Sequence, residues 1–472
     1  MSSGSGEFYL AIDQGGHASR AMVFDRAGAV IAAAFSPLAT RYPQDGWVEH
    51  DAEALLASVR AAVNDALSAV DDSACIRAAG LATQRSSIVC WDRGTGEPLS
   101  PVISWQDRRN ADWLRQQDLD PAALRDVTGL VVSPHYGASK LRWCLDHLVS
   151  VRCAREQNTL AAGPVASFVL SQLLEERPFV VDPANASRTL LWDHRSRDWS
   201  TSLLKQFGIP RSMLPDCVGN RYAYGHLPFG DGHIPLEICT GDQSAVPFAF
   251  GPPREDAAYV NIGTGAFIQR LIDHPPGSTH GLLVSVSWQH GTEATYALEG
   301  TVNGAGSALA AIGEELGVDP ESAFGEPVGP AQPLFLNGIG GLGSPFWLPK
   351  FKSRFVGEGE PAARLRAVLE SIAFLLQENL EPMAKLGGPL DALIMTGGLA
   401  AHDELCQTVA DLSGLRVLRP TVREATARGL AWLIAGRPPD WHAAVQRFEP
   451  APDTNIGRRF TRWREAMRSA GA

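Results

Sequence analysis

Two acidic residues in this chain sit where a carboxylate without a task would be costly. Asp13 ends the apolar run Phe8-Tyr9-Leu10-Ala11-Ile12 and is followed at once by Gln14-Gly15-Gly16. Burying an unpaired carboxylate at a strand end carries a large desolvation cost. Asp13 therefore reads either as capping its own turn or as standing beside Mg²⁺ and phosphate. Asp242 lies in Gly241-Asp242-Gln243, between an apolar stretch and a segment, 244–250, that patterns as a helix. It is either a helix N-cap or, facing a hydroxyl, the acceptor for its proton. Two polar clusters, Thr83-Gln84-Arg85-Ser86 and Trp105-Gln106-Asp107-Arg108-Arg109, accompany them. Arginine offers a donor fork to hydroxyl or phosphate and tryptophan an apolar wall; surface salt bridges are the competing explanation for each cluster taken singly. His17, His135 and His402 do not fall at metal-ligand spacing, so no zinc site is expected.

Glycine turns repeat along the chain. Phe8–Asp13 runs into Gly15-Gly16, Ala258–Ile262 into Gly263-Thr264-Gly265, and Leu393–Thr396 into Gly397-Gly398. Such turns let backbone N–H groups face an anion with no Cβ in the way. Two of them, one per half of the chain, predict two similar domains gripping a polyphosphate. Gly338-Ile339-Gly340-Gly341-Leu342-Gly343 fits a dinucleotide fingerprint, but Ser344-Pro345-Phe346-Trp347 follows it instead of a helix, so a turn or cleft-lining loop is expected. No G-x-x-x-x-G-K-[ST] loop is present, which excludes nucleotide use of that kind.

The elements that must carry these residues are legible in the periodicity. Strands are expected at 8–13, 21–25 and 30–35, then an amphipathic helix from about Asp51 with Ala54, Leu55, Val59, Val63 and Leu67 on one face. Strands at 78–83 and 87–91 follow. The second half repeats the order with strands at 258–262, 266–271, 282–288, 294–298 and 393–396 and helices from about Gly306, after Gly398 and over 424–435. The Gly251-Pro252-Pro253 stretch is a candidate boundary zone. The domain break is placed slightly earlier, giving domains 1–239 and 240–472, because the motif at 241–243 should line a cleft.

At 472 residues the chain suits two domains, with ordinary hydrophobic (45%) and charged (20%) content. A net charge of −11 argues against nucleic acid or anionic membrane as partners. Seven scattered cysteines, a start without a signal-peptide pattern and no spanning apolar run predict a cytoplasmic protein with reduced thiols.

Taken together, Ala11-Ile12-Asp13-Gln14-Gly15, Ser19-Arg20, Asp45-Gly46-Trp47-Val48-Glu49-His50-Asp51, Gly129-Leu130-Val131-Val132, Asn185-Ala186-Ser187-Arg188-Thr189-Leu190, Gly241-Asp242-Gln243, Gly263-Thr264-Gly265, Ala297-Leu298-Glu299-Gly300 and Gly343-Ser344-Pro345-Phe346-Trp347 resemble the FGGY family of carbohydrate kinases, its glycerol kinase branch above all. The resemblance covers nearly the whole chain. It implies an α/β fold of two ribonuclease H-like domains, of the actin/Hsp70/sugar kinase superfamily, flanking a nucleotide cleft. It also implies phosphoryl transfer from Mg·ATP to a hydroxyl of a small sugar or polyol, with ATP and Mg²⁺ as cofactors. Asp242 matches the family's catalytic base, and Asp13 and Asp242 its metal-side aspartates. Asp13, Gly15, Gly16, His17, Ser19, Arg20, Gly263, Thr264, Gly265, Gly306, Gly397, Gly398 and His402 fall at nucleotide positions. Arg85, Ser86, Trp105, His135, Asp242, Gln243 and Phe267 fall at acceptor positions. The partners expected are a small sugar or polyol and, in a homodimer, a second copy of the chain.

Several positions depart from the family pattern. Ser86 stands where glycerol kinases carry Glu, so one hydroxyl is expected in place of two acceptor oxygens with room for a larger acceptor, and His135 stands where they carry Tyr. Gly16-His17 replaces two threonines; Thr396, His402, Ala310 and Ala166 replace an acidic residue, Asn, Gln and Asp. The expectation is a kinase for a polyol or sugar larger than glycerol. True glycerol kinase, or a weak or inactive sugar-binding regulatory homologue, are the alternatives.

Overall fold

The computed structural model describes residues 7–70, 75–324, 332–422, 424–451 and 455–472. The chain divides into two compact units. The first comprises Met1–Pro253, Ser285–Tyr296 and Glu424–His442; the second comprises Arg254–Val284, Ala297–Arg423 and Ala443–Ala472. The first crossing between units thus comes directly after Gly251-Pro252-Pro253. Asp242, Gln243 and the short helical turns behind them belong with the first unit.

The first unit is built on a six-stranded sheet. Its strands are β1 (Phe8–Gln14), β2 (Ala18–Phe24), β3 (Val30–Pro37), β4 (Ile76–Thr83), β5 (Arg221–Phe229) and β6 (Gly232–Gly241). Their spatial order is β5-β6-β4-β1-β2-β3. β1, β2 and β3 form an antiparallel meander, while β4 pairs parallel with both β1 and β6. Buried on both faces, the parallel strands read as near-continuous apolar runs: Leu10, Ala11, Ile12, Ala79, Leu81, Leu236 and Ile238 are all fully buried. Helix Ala52–Ser68 covers one face through Leu55, Val59, Ala62, Val63 and Ala66. Asp51 caps it, its side chain accepting from the Ala54 N–H at 3.0 Å. Ala54 itself is exposed, outside the buried stripe that spacing assigned to it; Leu56 and Ala62 take the buried positions.

A second sheet, whose strands apart from the 285–296 stretch belong to the second unit, repeats this plan. Its strands are β7 (Ala257–Ile262), β8 (Ala266–Ile272), β9 (Leu283–His290), β10 (Glu293–Val302), β11 (Ala392–Thr396), β12 (Arg416–Pro420) and β13 (Val445–Phe448). They lie in the order β9-β10-β8-β7-β11-β12-β13. β7 pairs antiparallel with β8 and parallel with β11; β12 is parallel to β11 and antiparallel to β13. Setting β7 on β1, β8 on β2 and β11 on β4 brings the two sheets into correspondence, with β9 as an addition at one edge. The repeated strand-and-glycine motif is therefore the visible part of a repeated topology.

Two elements are shorter than the periodicity suggested. The helix expected over 244–250 is one α-turn, Asp242–Ala245, running into a 3₁₀ turn, Val246–Phe248. Pro247 has no N–H to continue an α-helical ladder. After Gly398 a 3₁₀ turn to Ala401 precedes the helix Asp403–Ser413, because His402 is extended and breaks the run. The Gly338–Gly343 loop makes turns with positive φ at Gly340 and Gly341 and opens no helix.

Helix Ala425–Ile434 of the first unit packs over β4 and the 242–248 turns. Its Leu430 and Ile434 side chains fill the space beside Gly80, and Gly429 lies so close to the Ala245 carbonyl that a Cβ there would overlap it. Gly429→Ala must therefore displace the backbone on which Asp242 sits, at a cost of roughly 1–3 kcal/mol. A lower Tm by calorimetry is expected for Gly429→Ala, and an unchanged Tm would contradict this packing.

Candidate active site

Three parallel strands of the first unit end at one level. Asp13 is opposite Ala82 and Gln14 opposite Thr83 across β1 and β4; Thr240 is opposite Ala82 and Gly241 opposite Thr83 across β6 and β4. The residues that follow, Gly15-Gly16, Gln84-Arg85-Ser86 and Asp242-Gln243, therefore emerge together beyond the carboxyl ends of the strands. Ligands of open α/β sheets bind in that position. A buried polar network holds the ends in place. The Asn185 amide donates to the Thr240 carbonyl (3.1 Å) and to Asp182, and the Thr83 hydroxyl donates to Asn185 Oδ1 (3.3 Å). Asn220 donates to the Cys239 carbonyl at 2.8 Å.

Asp13 is buried at the tip of β1, 6% exposed. Its nearest cation is Arg20 on β2, 3.9 Å away and itself paired to Glu424 at 3.3 Å. Loss of hydration is the main force on its pKa. Repulsion from Asp242 and Glu424 adds to it, Arg20 opposes it, and the carboxyl is pushed up to about 7. Asp242 begins its helical turn after Gly241, its Oδ1 accepting from the Gln243 N–H at 2.7 Å with Arg85 Nε at 3.8 Å. A Cβ at Gly241 would overlap the Arg85 stem, so glycine at this position lets the guanidinium approach the carboxylate. Asp13 and Asp242 repel one another, and each has its own arginine at its edge, Arg20 at 3.9 Å from Asp13 and Arg85 at 3.8 Å from Asp242.

The remaining expected acceptor residues of this unit gather nearby. Arg85 and Ser86 are buried and Trp105, His135 and Gln243 are half-buried. The Trp105 N–H donates to Ser87 Oγ at 2.9 Å, and His135 Nδ1 lies 3.0 Å from the Trp105 carbonyl. A carbonyl only accepts, so Nδ1 carries the proton and Nε2 is an acceptor. Burial holds the His135 pKa down at about 4, which keeps the ring neutral. Ser19 is placed differently. It is opposite Gln14, one position from the Asp13–Arg20 pair, and so lies on the other sheet face. There it is fully buried with its hydroxyl on Ser58 (2.7 Å). His17 and Gly16 are more accessible, and the Gly15 N–H closes its turn onto the Ala18 carbonyl at 2.9 Å. Arg109, grouped with Arg108 as a polar cluster, is a structural ion buried with Asp107 and Glu49 between Trp47 and Trp143. Glu424 gave no sign in the sequence beyond opening a helix, since only the fold returns that helix to β1.

In the second unit, Gly263-Thr264-Gly265 is an exposed hairpin turn tied to the start of helix Gly306–Leu316. The Gly306 N–H donates to the Gly263 carbonyl (2.9 Å), and the Ala305 and Ser307 N–H groups donate to the Thr264 carbonyl (3.0 and 3.1 Å). Gly306 and Gly265 are both required by close backbone approach. β7 and β11 run parallel with Asn261 opposite Thr396, which brings Gly397 beside the same turn. Gly397 has φ +94° and abuts the Ile262 carbonyl; Gly398 is exposed next to it. His402 stacks face to face on Phe324 with ring centres 3.7 Å apart, and Phe267 is half-buried on β8. Among the described residues, no group of three or more His, Cys, Asp or Glu is arranged to hold a metal ion, and no helix is long and apolar enough to cross a membrane.

Comparison with known proteins identifies the family and the fold. Residues 8–249 match the FGGY family of carbohydrate kinases, N-terminal domain, and residues 258–436 its C-terminal domain. A glycerol kinase of Bordetella parapertussis is 37% identical over 490 residues, covering 98% of this chain and 96% of that protein. One from Burkholderia ambifaria is 34% identical over 492 residues, covering 99% and 98%. Among solved structures, Plasmodium falciparum glycerol kinase with ADP superposes with a TM-score of 0.89 at 22% identity, covering 100% of this chain and 99% of that one. A gluconate kinase from Lactobacillus acidophilus gives 0.86 at 19%, covering 99% of each. The repeated sheets and their glycine turns are those of the two-domain, ribonuclease H-like fold shared by actin, Hsp70 and sugar kinases. The chain belongs to the FGGY family of carbohydrate kinases and is a phosphotransferase with an alcohol group as acceptor.

The raised pKa of Asp13 has a consequence for stability. Unfolded, the carboxyl titrates near its ordinary 3.8; folded, near 7. The folded state holds the proton more tightly, so stability falls as pH rises between those values and the loss persists above them. Asp13→Asn should therefore unfold at higher denaturant than the parent at pH 8, by a few kcal/mol at most. The gap should close toward pH 4; a gap that widens on acidification would contradict the assignment.

Proposed function

We propose that the chain transfers the γ-phosphoryl group of ATP to a hydroxyl of a small sugar or polyol, with Asp242 as the general base. The observation that carries this reading is the Asp13–Asp242 carboxylate pair at the level ends of two parallel strands that flank β4, with Arg85 beside Asp242. On this reading Arg85, Ser86, Trp105, His135, Gln243 and Phe267 orient the acceptor. Trp105 gives its carbon face a wall, and the Nε2 of His135 and the carboxylate of Asp242 accept from hydroxyls. Asp242 then takes the proton of the attacking hydroxyl as its oxygen bonds to phosphorus, a role that commonly contributes 10²–10⁴-fold.

The nucleotide is assigned to Gly15, Gly16, His17 and Arg20 in the first unit and to Gly263, Thr264, Gly265, Gly306, Gly397, Gly398 and His402 in the second. Backbone N–H groups in the glycine turns suit phosphate oxygens, and Arg20, held only loosely by Asp13 at 3.9 Å, suits a terminal phosphate. Asp13 and Asp242 would hold Mg²⁺, which when bound neutralises charge on the terminal phosphates. By function, 1–239 supplies most acceptor and phosphate-side groups and 240–472 the base and most of the nucleotide site. A cytoplasmic location goes with this chemistry, and a homodimer remains the assembly to test.

Two acceptor readings divide on particular observations. The curated relatives named glycerol kinase favour glycerol. Ser86, with one hydroxyl and less bulk than a glutamate, favours a longer polyol or ketose. ADP release across three- to seven-carbon polyols and ketoses separates them. At least one acceptor should support turnover, and Asp242→Asn should lower its kcat by about a hundredfold or more with little change in acceptor KM. Silence across the panel, without any ATP-dependent thermal shift, would leave a sugar-binding regulatory protein instead. Efficient turnover of glycerol alone would overturn the inference from Ser86.

A further inference from the structure

Lys140, in the first turn of helix Gly137–His147, is 1% exposed and lies in no exposed salt bridge or recognised motif. Its Nζ donates to three backbone carbonyls: Ser104 at 2.7 Å, His135 at 2.7 Å and Ser86 at 3.1 Å. An ammonium has three donors, so these bonds match its full capacity. The three carbonyls belong to three separate segments, and each segment carries one of the side chains assigned to the acceptor: Ser86, Trp105 next to Ser104, and His135. Further bonds close the ring, from the Trp105 N–H to Ser87 Oγ and from His135 Nδ1 to the Trp105 carbonyl.

The charge is accommodated without being used elsewhere. Burial pushes the Lys140 pKa down to about 7, with Asp107 favouring the ammonium and Arg109 opposing it. Asp107 also holds Arg109 and accepts from the Val48 N–H at 2.7 Å, and Glu49 completes the set on Arg109. Two cations and two anions thus balance inside the unit. Ser86 adds a second observation: its φ is +65°, a left-handed conformation that is costly for a residue with a Cβ. The conformation directs the Ser86 carbonyl to Lys140 and leaves the side chain next to Arg85, and it persists only where the surroundings fix it.

We propose that Lys140 is a positioning residue for the acceptor pocket, its ammonium pinning the backbone at Ser86, Ser104 and His135 so that the Ser86, Trp105 and His135 side chains meet one acceptor. The inference rests on the assignment of those three residues to the acceptor. It goes beyond that assignment in making one buried cation set the pocket's shape, and with it the length of acceptor that fits.

The test is Lys140→Met, which keeps the stem and removes the donors, beside Lys140→Gln and Lys140→Arg, which retain some. Lys140→Met should raise acceptor KM roughly tenfold or more while KM for ATP stays within about twofold. Lys140→Arg should recover part of the loss. Amide hydrogen exchange on the full chain should quicken in Lys140→Met at 84–88, 104–107 and 133–137 together. An acceptor KM unchanged in folded Lys140→Met, equal losses for acceptor and ATP, or unchanged exchange at the three segments would each overturn the proposal. Failure of every variant to fold would overturn it too, since Lys140 would then serve the fold and not the pocket. If no acceptor is turned over by the parent while exchange quickens as expected, the assignment of the acceptor residues fails and the pinning of the three segments stands.

Discussion

The parallel register of β1, β4 and β6 is the constraint on which the rest of the first unit depends. Because Asp13, Ala82 and Thr240 lie level across three strands, the two turns that carry carboxylates leave the sheet at one level on either side of β4. The cost of that arrangement is electrostatic. Asp13 loses its hydration and faces Asp242 and Glu424, with one arginine at 3.9 Å to offset them. A site built for stability alone would have paired that carboxylate fully or replaced it. Holding it poised near neutral pH makes chemical sense if the missing positive charge arrives with the substrate.

The surrounding structure keeps the pair from relaxing. Asn185 and Asn220 tie down the carbonyls at the end of β6, Gly241 admits the Arg85 stem, and Gly429 lets helix Ala425–Ile434 press against the turn behind Asp242. Asp182, which receives the Asn185 amide, is wholly buried with its pKa raised by desolvation. The second unit reuses the plan with hydrogen bonds in place of charge. Its turn at Gly263-Thr264-Gly265 is fastened to the start of helix Gly306–Leu316 and leaves accessible backbone, with no carboxylate corresponding to Asp13 at Asn261 or Ile262. The two copies of the motif have diverged into a charged end and a neutral one.

Much of this was legible in the sequence, for identifiable reasons. Strands buried on both faces read as apolar runs, and glycines forced by close approach, such as Gly241 and Gly397, stand out beside them. Family membership was legible from the same segments. The limits of local pattern show equally well. Pro247 shortened a helix that hydrophobicity alone extended, and Ala54 faced solvent because its helix turns its buried stripe slightly. Ser19 lay on the wrong sheet face, a matter of register parity that motif position does not encode. Arg109 fitted a surface salt bridge, and Lys140 carried no local signal, because Glu49 and the carbonyls of Ser86 and Ser104 lie far from them in sequence. Glu424 is more than four hundred residues from Asp13 along the chain. Long-range pairing of this kind has no local signature.

The central claim is that the Asp13 carboxyl is held near neutrality by its burial and by Asp242. The direct measurement is the titration of Asp13 followed by carboxyl ¹³C NMR in the full chain, assigned through Asp13→Asn and repeated in Asp242→Asn. The account predicts a midpoint near 7 that moves down when Asp242 loses its charge, and down again on adding Mg·ATP. A midpoint at the ordinary carboxyl value, insensitive to both changes, would contradict it.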